Sequence, residues 1–413
     1  MLSINEKLKN HNDLLKKYGS PLYLYDYEIL KDRCNEMYEF KNNLENKINK
    51  KVTMHYSPKA NTNPAILKVV KETGLCVDSM SPFELYISKK CGFTKDQILY
   101  VCNNIDKDEM KLVHDSGILI CLDSISQVKS WGELFPNTEI MVRINPGTLG
   151  VGHSYKVITS GKTTKFGISQ DNLKELLSTA NKYNLKIIGV HQHLGSLFLD
   201  DKISDYILGV EVGLSIIKKY FKDLKIIDLG GGFGVPYTRE EKKLDLNKVA
   251  SRLEKILVPF IKEYPSVQEF KFEPGRYIPC EAGVLMGTVT SLKFENDMWW
   301  IGTDIGMNEL VRPSMYGSYH EVSLLNDKKS KSQIVNICGN VCESSDVLAK
   351  DRKLKLPDVG DVILVHNAGA YGYSMASNYT GRLRPAEVML KNDKIIPIRK
   401  RESIEYLEKS IIW

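Results

Sequence analysis

The feature of this chain that most constrains its fold is a regular alternation of short apolar stretches with helical segments. Eight such stretches lie between residues 52 and 273 of the 413-residue sequence. Buried parallel strands are near-continuous apolar runs, and eight strands that alternate with helices are typical of a (β/α)8 barrel. The predicted strands are Val52–Tyr56, Leu75–Asp78, Gln97–Val101, Ile118–Leu122, Glu139–Ile144, Lys186–His191, Lys225–Leu229 and Glu269–Glu273.

Polar residues and glycines collect where these strands end. In a (β/α)8 barrel the loops after the strands build the active site. Lys59 follows the first predicted strand, and a desolvated lysine there can attack a carbonyl. A lone loop lysine is more often simply solvated, and polar residues end most strands, so the prediction of one concave site depends on the whole set. The set is Lys59, Asp78, Asn103, Asn104, Asp123, Arg143, the segments 191–196 and 230–232, and the segment 273–276.

Glycines are concentrated after the seventh and eighth predicted strands, at positions 230, 231, 232, 234 and 275. Barrels of this type often bind phosphate with these two loops, and glycine leaves the backbone N–H groups unobstructed. For the stretch DLGGGFG taken alone, a tight turn is an equally good interpretation. Together with the lysine across the barrel mouth, a phosphate site points to pyridoxal 5′-phosphate (PLP).

After Cys280 the pattern changes to strands separated by turns, which predicts an all-β domain. We expect the early stretch PLYLYDY to join it as a further strand. The predicted domains are residues 30–280 for the barrel and residues 1–29 plus 281–413 for the β domain. Three motifs in the β domain have the composition of a functional site, namely RPSMYGSYH, CESSD and NAGAYGYSMASNY.

Composition and charge narrow the class of protein. The formal net charge is +6 and no dense block of Lys and Arg is present, so nucleic acid is not an expected partner. The first residues are polar and no apolar run approaches the length of a membrane span, which predicts a cytoplasmic protein without a membrane partner. The eight cysteines show no paired metal-ligand spacing, so we expect reduced thiols and no metal site.

Seven motifs occur in the order found in a known family: HYSPKAN, HQHLGS, DLGGGFGVPY, EPGR, RPSMYGSYH, CESSD and GAYGYSMASNY. The chain resembles the diaminopimelate decarboxylase family of fold-type III PLP enzymes, which also include ornithine decarboxylase and, more distantly, alanine racemase. The resemblance implies a PLP-binding (β/α)8 barrel and a C-terminal β-sandwich or β-barrel domain joined by the N-terminal strand. It also implies a small-molecule amino acid substrate and a homodimer whose active sites are shared between subunits.

The resemblance implies a role for individual residues around the cofactor. Lys59 would form the Schiff base with PLP, His193 would stack on the ring, and Glu273 would pair with the ring nitrogen. Asp78 and Arg143 would surround the ring. The phosphate would be held by Ser196, Gly230, Gly231, Gly232, Gly275, Arg276 and Tyr371.

A second group of residues is implied to act on the substrate. Cys342 of the partner subunit would be the acid near Cα. The remaining substrate contacts would come from Arg276, Arg312, Tyr316, Glu343 and Tyr371. For Arg312 the plainer interpretation is a surface salt bridge. The implied reaction is decarboxylation of meso-diaminopimelate to L-lysine and carbon dioxide.

Several positions depart from the family pattern. Phe83 stands where glycine is usual, Leu197 where glutamine is common, and Asn367 where aspartate is common; Thr380 and Gly381 lie in a changed run. The substrate could therefore be another diamino acid or a carboxylated polyamine, of the lysine, ornithine or carboxynorspermidine type. A catalytically silent PLP-binding homologue is a further alternative, but it should have lost Lys59 or Cys342, and both are present.

Overall fold

The structure is a computed structural model that describes residues 4–8, 11, 13–147, 161, 164–326 and 328–413. The chain forms two compact units. The β unit is drawn from Met1–Asp32, Tyr237–Glu240 and Ile278–Trp413, and the barrel unit from Arg33–Pro236 and Glu241–Tyr277. The domain boundaries at residues 30 and 281 stay a prediction from sequence.

The described strands and helices are numbered here in chain order. The strands are β1 Leu22–Asp26, β2 Lys51–Tyr56, β3 Cys76–Ser79, β4 Ile98–Val101, β5 Leu119–Leu122, β6 Glu139–Asn145, β7 Ile168–Ser169, β8 Lys186–His191, β9 Ile226–Gly231, β10 Glu269–Glu273, β11 Gly283–Glu295, β12 Met298–Thr303, β13 Val322–Leu324, β14 Ser332–Cys338, β15 Val347–Lys355, β16 Val362–Val365, β17 Ala386–Lys391 and β18 Lys394–Arg399. The α-helices are α1 Ile4–Leu8, α2 Leu14–Tyr18, α3 Tyr27–Ile48, α4 Pro64–Glu72, α5 Pro82–Lys90, α6 Lys107–Asp115, α7 Ile125–Leu134, α8 Leu173–Lys182, α9 Ile203–Tyr220, α10 Leu246–Glu263, α11 Arg312–Tyr316 and α12 Ile404–Glu408.

The barrel unit contains a closed parallel barrel. Its strands follow the order β5-β4-β3-β2-β10-β9-β8-β6, and pairing of β5 with β6 closes the ring. The predicted (β/α)8 fold is confirmed. The predicted strand bounds differ by one or two residues at several ends; Gln97, for example, belongs to the 3-10 turn Lys95–Gln97 that precedes β4.

Helix starts follow the capping signals in the sequence. Ser81 Oγ accepts a hydrogen bond from Glu84 N (3.2 Å) and so caps the start of α5, and Glu84 Oε2 accepts one from Met80 N (2.9 Å), the residue before the cap. Pro82 occupies the first helical position, where its missing N–H costs nothing. This cap fixes the point at which the chain turns from β3 into α5, close to Asp78 near the end of β3.

The barrel interior is apolar on one side and polar on the other. Leu99, Val101, Cys121 and Met141 form the apolar cluster. On the opposite side the buried Lys271 of β10 places Nζ 3.0 Å from Glu269 Oε1, 3.5 Å from Thr53 Oγ1 and 3.5 Å from His55 Nε2. A buried ammonium is stable only when it is paired, so Lys271 requires polar neighbours on β2 and β10. Lys59 follows β2, and Glu273 is the last residue of β10.

The β unit is built on a mixed sheet of order β15-β14-β12-β11-β1-β17-β18, with β16 on β11 and β13 on β16. The N-terminal strand β1 lies between β11 (antiparallel) and β17 (parallel), so the predicted addition of this strand is confirmed. A two-residue turn joins β17 and β18, with Asn392 and Asp393 both at positive φ (49° and 57°), as a type I′ turn requires. Among the described residues no helix has the length and apolar character needed to cross a membrane.

Candidate active site

Lys59 lies at the carboxyl end of β2, in the 3-10 turn Pro58–Ala60. Its side chain is 35% exposed, and Nζ is 3.9 Å from Asp78 Oδ2 at the end of β3. Ser57 connects this turn to its neighbours, since its Oγ donates to Asp78 Oδ2 (2.8 Å) and its backbone N donates to Pro274 O (3.2 Å). The loops after the first, second and eighth barrel strands therefore meet at Lys59.

Asp78 is a buried acid beside this lysine. Burial raises the pKa of its carboxyl to about 7, and the nearby Glu273 adds to the increase, whereas Lys59 and the Ser57 hydroxyl oppose it. The balance means that Asp78 carries only part of its negative charge near neutral pH in the absence of a ligand.

Glu273 ends β10 and is oriented by a neutral histidine. Its side chain is 2% exposed, and Oε2 lies 3.0 Å from His191 Nε2. Burial lowers the pKa of His191 to about 4, so the neutral ring can donate Nε2–H to the carboxylate. Burial raises the pKa of Glu273, but Lys59 and Arg143 oppose the increase by stabilising the anion. The site thus holds a buried carboxylate within the field of two cations.

His193 presents a flat, uncharged ring at the same strand ends. Gly231 N donates to its Nδ1 (3.0 Å), which assigns Nδ1 as the acceptor nitrogen. Burial lowers the pKa of His193 well below its usual value. Its ring lies nearly parallel to that of His191, with 6.4 Å between centroids and 14° between planes.

The glycines at the end of β9 are needed because strand-end loops pack closely there. A Cβ added at Gly230 would lie 2.4 Å from Gln192 O, and one at Gly231 would lie 1.9 Å from Glu273 O. Gly230 and Gly232 also have positive φ (69° and 102°), which disfavours a side chain. Two of the predicted phosphate donors are engaged within the chain, since Gly230 N donates to Asp228 Oδ1 (2.9 Å) and Gly231 N to His193.

Two arginines complete the polar lining of the barrel unit. Arg276 follows Gly275 after β10, is buried, and donates from Nη2 to Ser196 Oγ (3.3 Å). Arg143 near the end of β6 packs its guanidinium 4.5 Å from the centre of the Phe166 ring. Ser196 and Arg276 form a hydroxyl and guanidinium pair of the kind that binds a phosphate.

The barrel residues fit PLP by the chemistry of their donor set. An amine, a buried carboxylate, a flat imidazole and a guanidinium–hydroxyl pair match the aldehyde, ring nitrogen, ring face and phosphate of that cofactor. His191, His193 and Glu273 have polar atoms within 4.8 Å of one another, a spacing that would also suit a metal ion. However, Gly231 N occupies the Nδ1 lone pair of His193, and His191 Nε2 already contacts Glu273.

The β unit carries the other five predicted site residues: Cys342, Glu343, Arg312, Tyr316 and Tyr371. Cys342 and Glu343 are exposed on a loop that Asp346 shapes by accepting from Met307 N (2.6 Å) and Val341 N (2.8 Å). Tyr379 OH donates to Glu343 Oε2 (3.3 Å).

Arg312, the first residue of α11, is 2% exposed, so it does not form a surface salt bridge. Its Nη2 donates to Ser318 Oγ (3.2 Å), and its guanidinium lies 5.5 Å from the Tyr237 ring and 5.9 Å from the Tyr316 ring. These contacts hold the planar fork in one orientation. Tyr371 has a positive φ of 56° and a partly buried side chain.

Three of the positions that depart from the family pattern share a backbone feature. Leu197, Asn367 and Thr380 all have positive φ (69°, 54° and 57°), and only asparagine tolerates that region well. Phe83 on α5 is 58% exposed.

Sequence reasoning assigned no role to three residues of these sites. His191 and Asp228 touch Glu273 or its loop, and Asp346 holds the Cys342 loop. A signal for Asp228 was available, since it is the one acid in the apolar strand IIDLGG. Asp346 could not be found this way, because acids are common in turns.

Comparison with known proteins decides the family. The family model described as "Pyridoxal-dependent decarboxylase, pyridoxal binding domain" matches residues 34–280. The diaminopimelate decarboxylase of Methanothermobacter thermautotrophicus is 36% identical over 402 residues, which cover 96% of this chain and 92% of the relative. The chain belongs to the diaminopimelate decarboxylase family of PLP-dependent enzymes.

Other members of the diaminopimelate decarboxylase family agree over the full length. That of Aquifex aeolicus is 34% identical, covering 96% of this chain and 92% of its own. A crystal structure of the Helicobacter pylori enzyme complexed with L-lysine superposes with a TM-score of 0.86 at 29% identity, covering 97% of this chain and 98% of that one. Membership in this family assigns PLP as the cofactor of the chain.

Proposed function

We propose that this chain decarboxylates meso-diaminopimelate to L-lysine and carbon dioxide, with PLP bound at Lys59. The observation that carries the proposal is Glu273, a carboxylate that is buried at the barrel mouth, held at 3.0 Å by His191 and influenced by the charge of Lys59. Family relatives named diaminopimelate decarboxylase support the choice of substrate.

When bound, PLP supplies an electron sink that accepts the electrons of the breaking Cα–carboxylate bond. Glu273 keeps a proton on the ring nitrogen, which strengthens that sink. An arginine at this position would leave the nitrogen unprotonated and suit racemisation instead. A glutamate therefore favours loss of carbon dioxide.

The other barrel residues hold the cofactor in place. Lys59 anchors its aldehyde carbon through Nζ, and Asp78, 3.9 Å away, keeps the amine oriented toward the mouth. The neutral ring of His193 covers one face of the cofactor. Ser196 and Arg276, already joined at 3.3 Å, bind the phosphate together with Gly232, Gly275 and Tyr371. Arg143 balances the charge of Glu273.

A second copy of the chain completes each site. Cys342 is exposed on a loop held by Asp346, so its thiol can enter the site of another subunit and return a proton to Cα after carbon dioxide has left. Glu343 beside it supplies an anion for the distal ammonium of the substrate. The active form is therefore a homodimer with shared sites.

Diaminopimelate has a second amino acid head group, which the site must recognise. Arg312 offers a guanidinium fork whose orientation is fixed by Ser318 and by two tyrosine rings, one of them Tyr316. Such a fork binds a carboxylate through two parallel hydrogen bonds. Lysine and ornithine lack a distal carboxylate, so they would not form these two hydrogen bonds.

The test is carbon dioxide release by the PLP-loaded chain with meso-diaminopimelate, run beside L-lysine, L-ornithine and carboxynorspermidine. We expect turnover of meso-diaminopimelate and at least a 100-fold lower kcat/KM for the other three, because two hydrogen bonds between charged groups, each worth about 1.5–3 kcal/mol, would not form. If only one of the other three compounds is turned over, the pocket is specific for that compound and not for meso-diaminopimelate. No turnover of any of the four would favour a silent homologue.

A further inference from the structure

Asp228 lies on β9 directly beside β10, the strand that carries Glu273. It is completely buried. Its Oδ1 accepts the Gly230 N–H at 2.9 Å, which fixes the carboxyl group and leaves Oδ2 for a second contact.

The second contact of Asp228 is Glu273. Asp228 acts on the neighbouring Glu273 as a side-chain hydrogen-bond donor, which lowers the pKa of the Glu273 carboxyl. Asp228 Oδ2 and Glu273 Oε1 are both buried, and neither has another hydrogen-bond partner among the described residues. Ionised carboxylates only accept hydrogen bonds, so a bond between two of them requires that one group keep its proton.

The surrounding charges decide which group keeps the proton. Glu273 is influenced by three cations, Lys59, Arg143 and Lys271. Asp228 is influenced by Lys271 and by His191, and His191 is neutral near pH 7 because burial lowers its pKa to about 4. The negative charge is therefore better stabilised on Glu273.

We propose that Asp228 is a positioning residue that stays protonated and donates its Oδ2–H to Glu273 Oε1, so that Glu273 faces the cofactor as a fixed carboxylate. The proposal rests on the proposed function, because it concerns how Glu273 serves a bound PLP ring. Asp228 and His191 then hold Glu273 from two sides, one through each oxygen.

The environment of Asp228 supports this assignment. Burial is the main cause that raises the pKa of Asp228 to about 8, with the charge of Glu273 second; the Gly230 N–H and Lys271 act in the opposite direction. Above that pH Asp228 would lose its proton, and Glu273 would lose a donor and gain an anionic neighbour. PLP binding should therefore weaken on the alkaline side.

Two substitutions separate a protonated acid from an ionised one. In Asp228→Asn the amide can donate to Glu273 Oε1 and accept from Gly230 N, as the protonated acid does. In Asp228→Ala both contacts are lost. We expect the Asn variant to keep a PLP dissociation constant within about 3-fold of wild type at pH 7, and the Ala variant to bind at least about 10-fold more weakly, as the loss of a hydrogen bond to a charged group predicts.

The pH dependence of PLP affinity distinguishes this role of Asp228 from a merely structural one. From pH 7 to pH 9 the wild-type PLP affinity should fall, whereas that of Asp228→Asn should fall less, because the amide cannot ionise. Asp205→Asn, at an exposed position of α9, is the matched control and should follow wild type. If Asp228→Asn binds PLP as weakly as Asp228→Ala, the acid is ionised and the proposal is overturned.

Infrared spectroscopy tests the proton itself without PLP or substrate. At pH 7 the wild-type minus Asp228→Asn difference spectrum of the PLP-free chain should contain the C=O stretch of a protonated carboxylic acid, and the band should vanish above pH 9. Its absence at pH 7 would contradict the proposal. This result does not depend on turnover, so a failure of the proposed function is recognised separately by the substrate panel.

Discussion

Lys59 Nζ lies 3.9 Å from Asp78 Oδ2, which joins the ends of the first two barrel strands at the mouth. The pair is not a simple stabilising ion pair, because burial raises the pKa of the Asp78 carboxyl to about 7 despite the lysine. A buried acid with a raised pKa costs folding free energy once the unfolded chain ionises. We infer that Asp78 is kept for cofactor binding at the expense of stability.

Asp78→Asn should therefore stabilise the PLP-free chain. Below about pH 4 the acid is protonated in both the folded and the unfolded state, so it has no effect there. Between about pH 4 and pH 7 the unfolded state releases a proton that the folded state keeps, so wild-type stability falls as pH rises. The gain of the variant should grow across this range and reach on the order of 2–4 kcal/mol above pH 7.

Thermal melting of the PLP-free protein at about pH 5 and pH 8 measures this gain. We expect the melting temperature of Asp78→Asn to exceed that of wild type, and by more at the higher pH. Asp96→Asn, at an exposed position, should match wild type at both. A variant that melts below wild type at pH 8 would show that ionised Asp78 stabilises the fold.

Arg312→Lys tests the distal clamp while it keeps the positive charge. Lysine cannot reproduce a bidentate fork, so kcat/KM for meso-diaminopimelate should fall about 10-fold or more, corresponding to about 1.5–3 kcal/mol for hydrogen bonds to a charged group. Arg239→Lys is the matched control, because the Arg239 side chain is 88% exposed. Steady-state kinetics with an unchanged kcat/KM would remove Arg312 from the substrate site.

Shared sites can be tested by mixing two inactive variants. Lys59→Ala removes the cofactor anchor and Cys342→Ala the proposed acid. If each site takes Lys59 from one subunit and Cys342 from the other, a mixed dimer has one intact site. After subunit exchange in equal amounts, half of the dimers are mixed, so activity should recover to about a quarter of wild type. No recovery, with exchange shown by mass, would mean that both residues act within one chain.

The barrel could be predicted from sequence because its strands are short, apolar and regularly separated by helices with clear caps. β15 lacks such a signal for the opposite reason. Its sequence VLAKDRKLK alternates poorly, and it lies at the edge of the sheet, paired only with β14 among the described strands. An edge strand tolerates charged residues, so it lacks the apolar signal on which prediction depends.

The barrel part of the site was predictable because each residue follows a strand, and the closed barrel brings strand ends together. The hydrogen bonds within that site were not predictable. Gly230 N donates a hydrogen bond to Asp228, and Gly231 N donates one to His193. Both bonds depend on how closely neighbouring loops approach each other, and the spacing of residues in the sequence does not reveal that distance. The burial of Arg312 likewise follows from packing against Tyr237, a residue distant in sequence.

The central claim is that the barrel mouth around Lys59 is the PLP site, and chemical mapping tests it most directly. The PLP-loaded chain would be reduced with borohydride, digested, and analysed by peptide mass spectrometry. We predict a pyridoxyl group on Lys59, and none on Lys51 at the start of β2, the strand that Lys59 follows. A pyridoxyl group on another lysine, with Lys59 unmodified, would contradict the account.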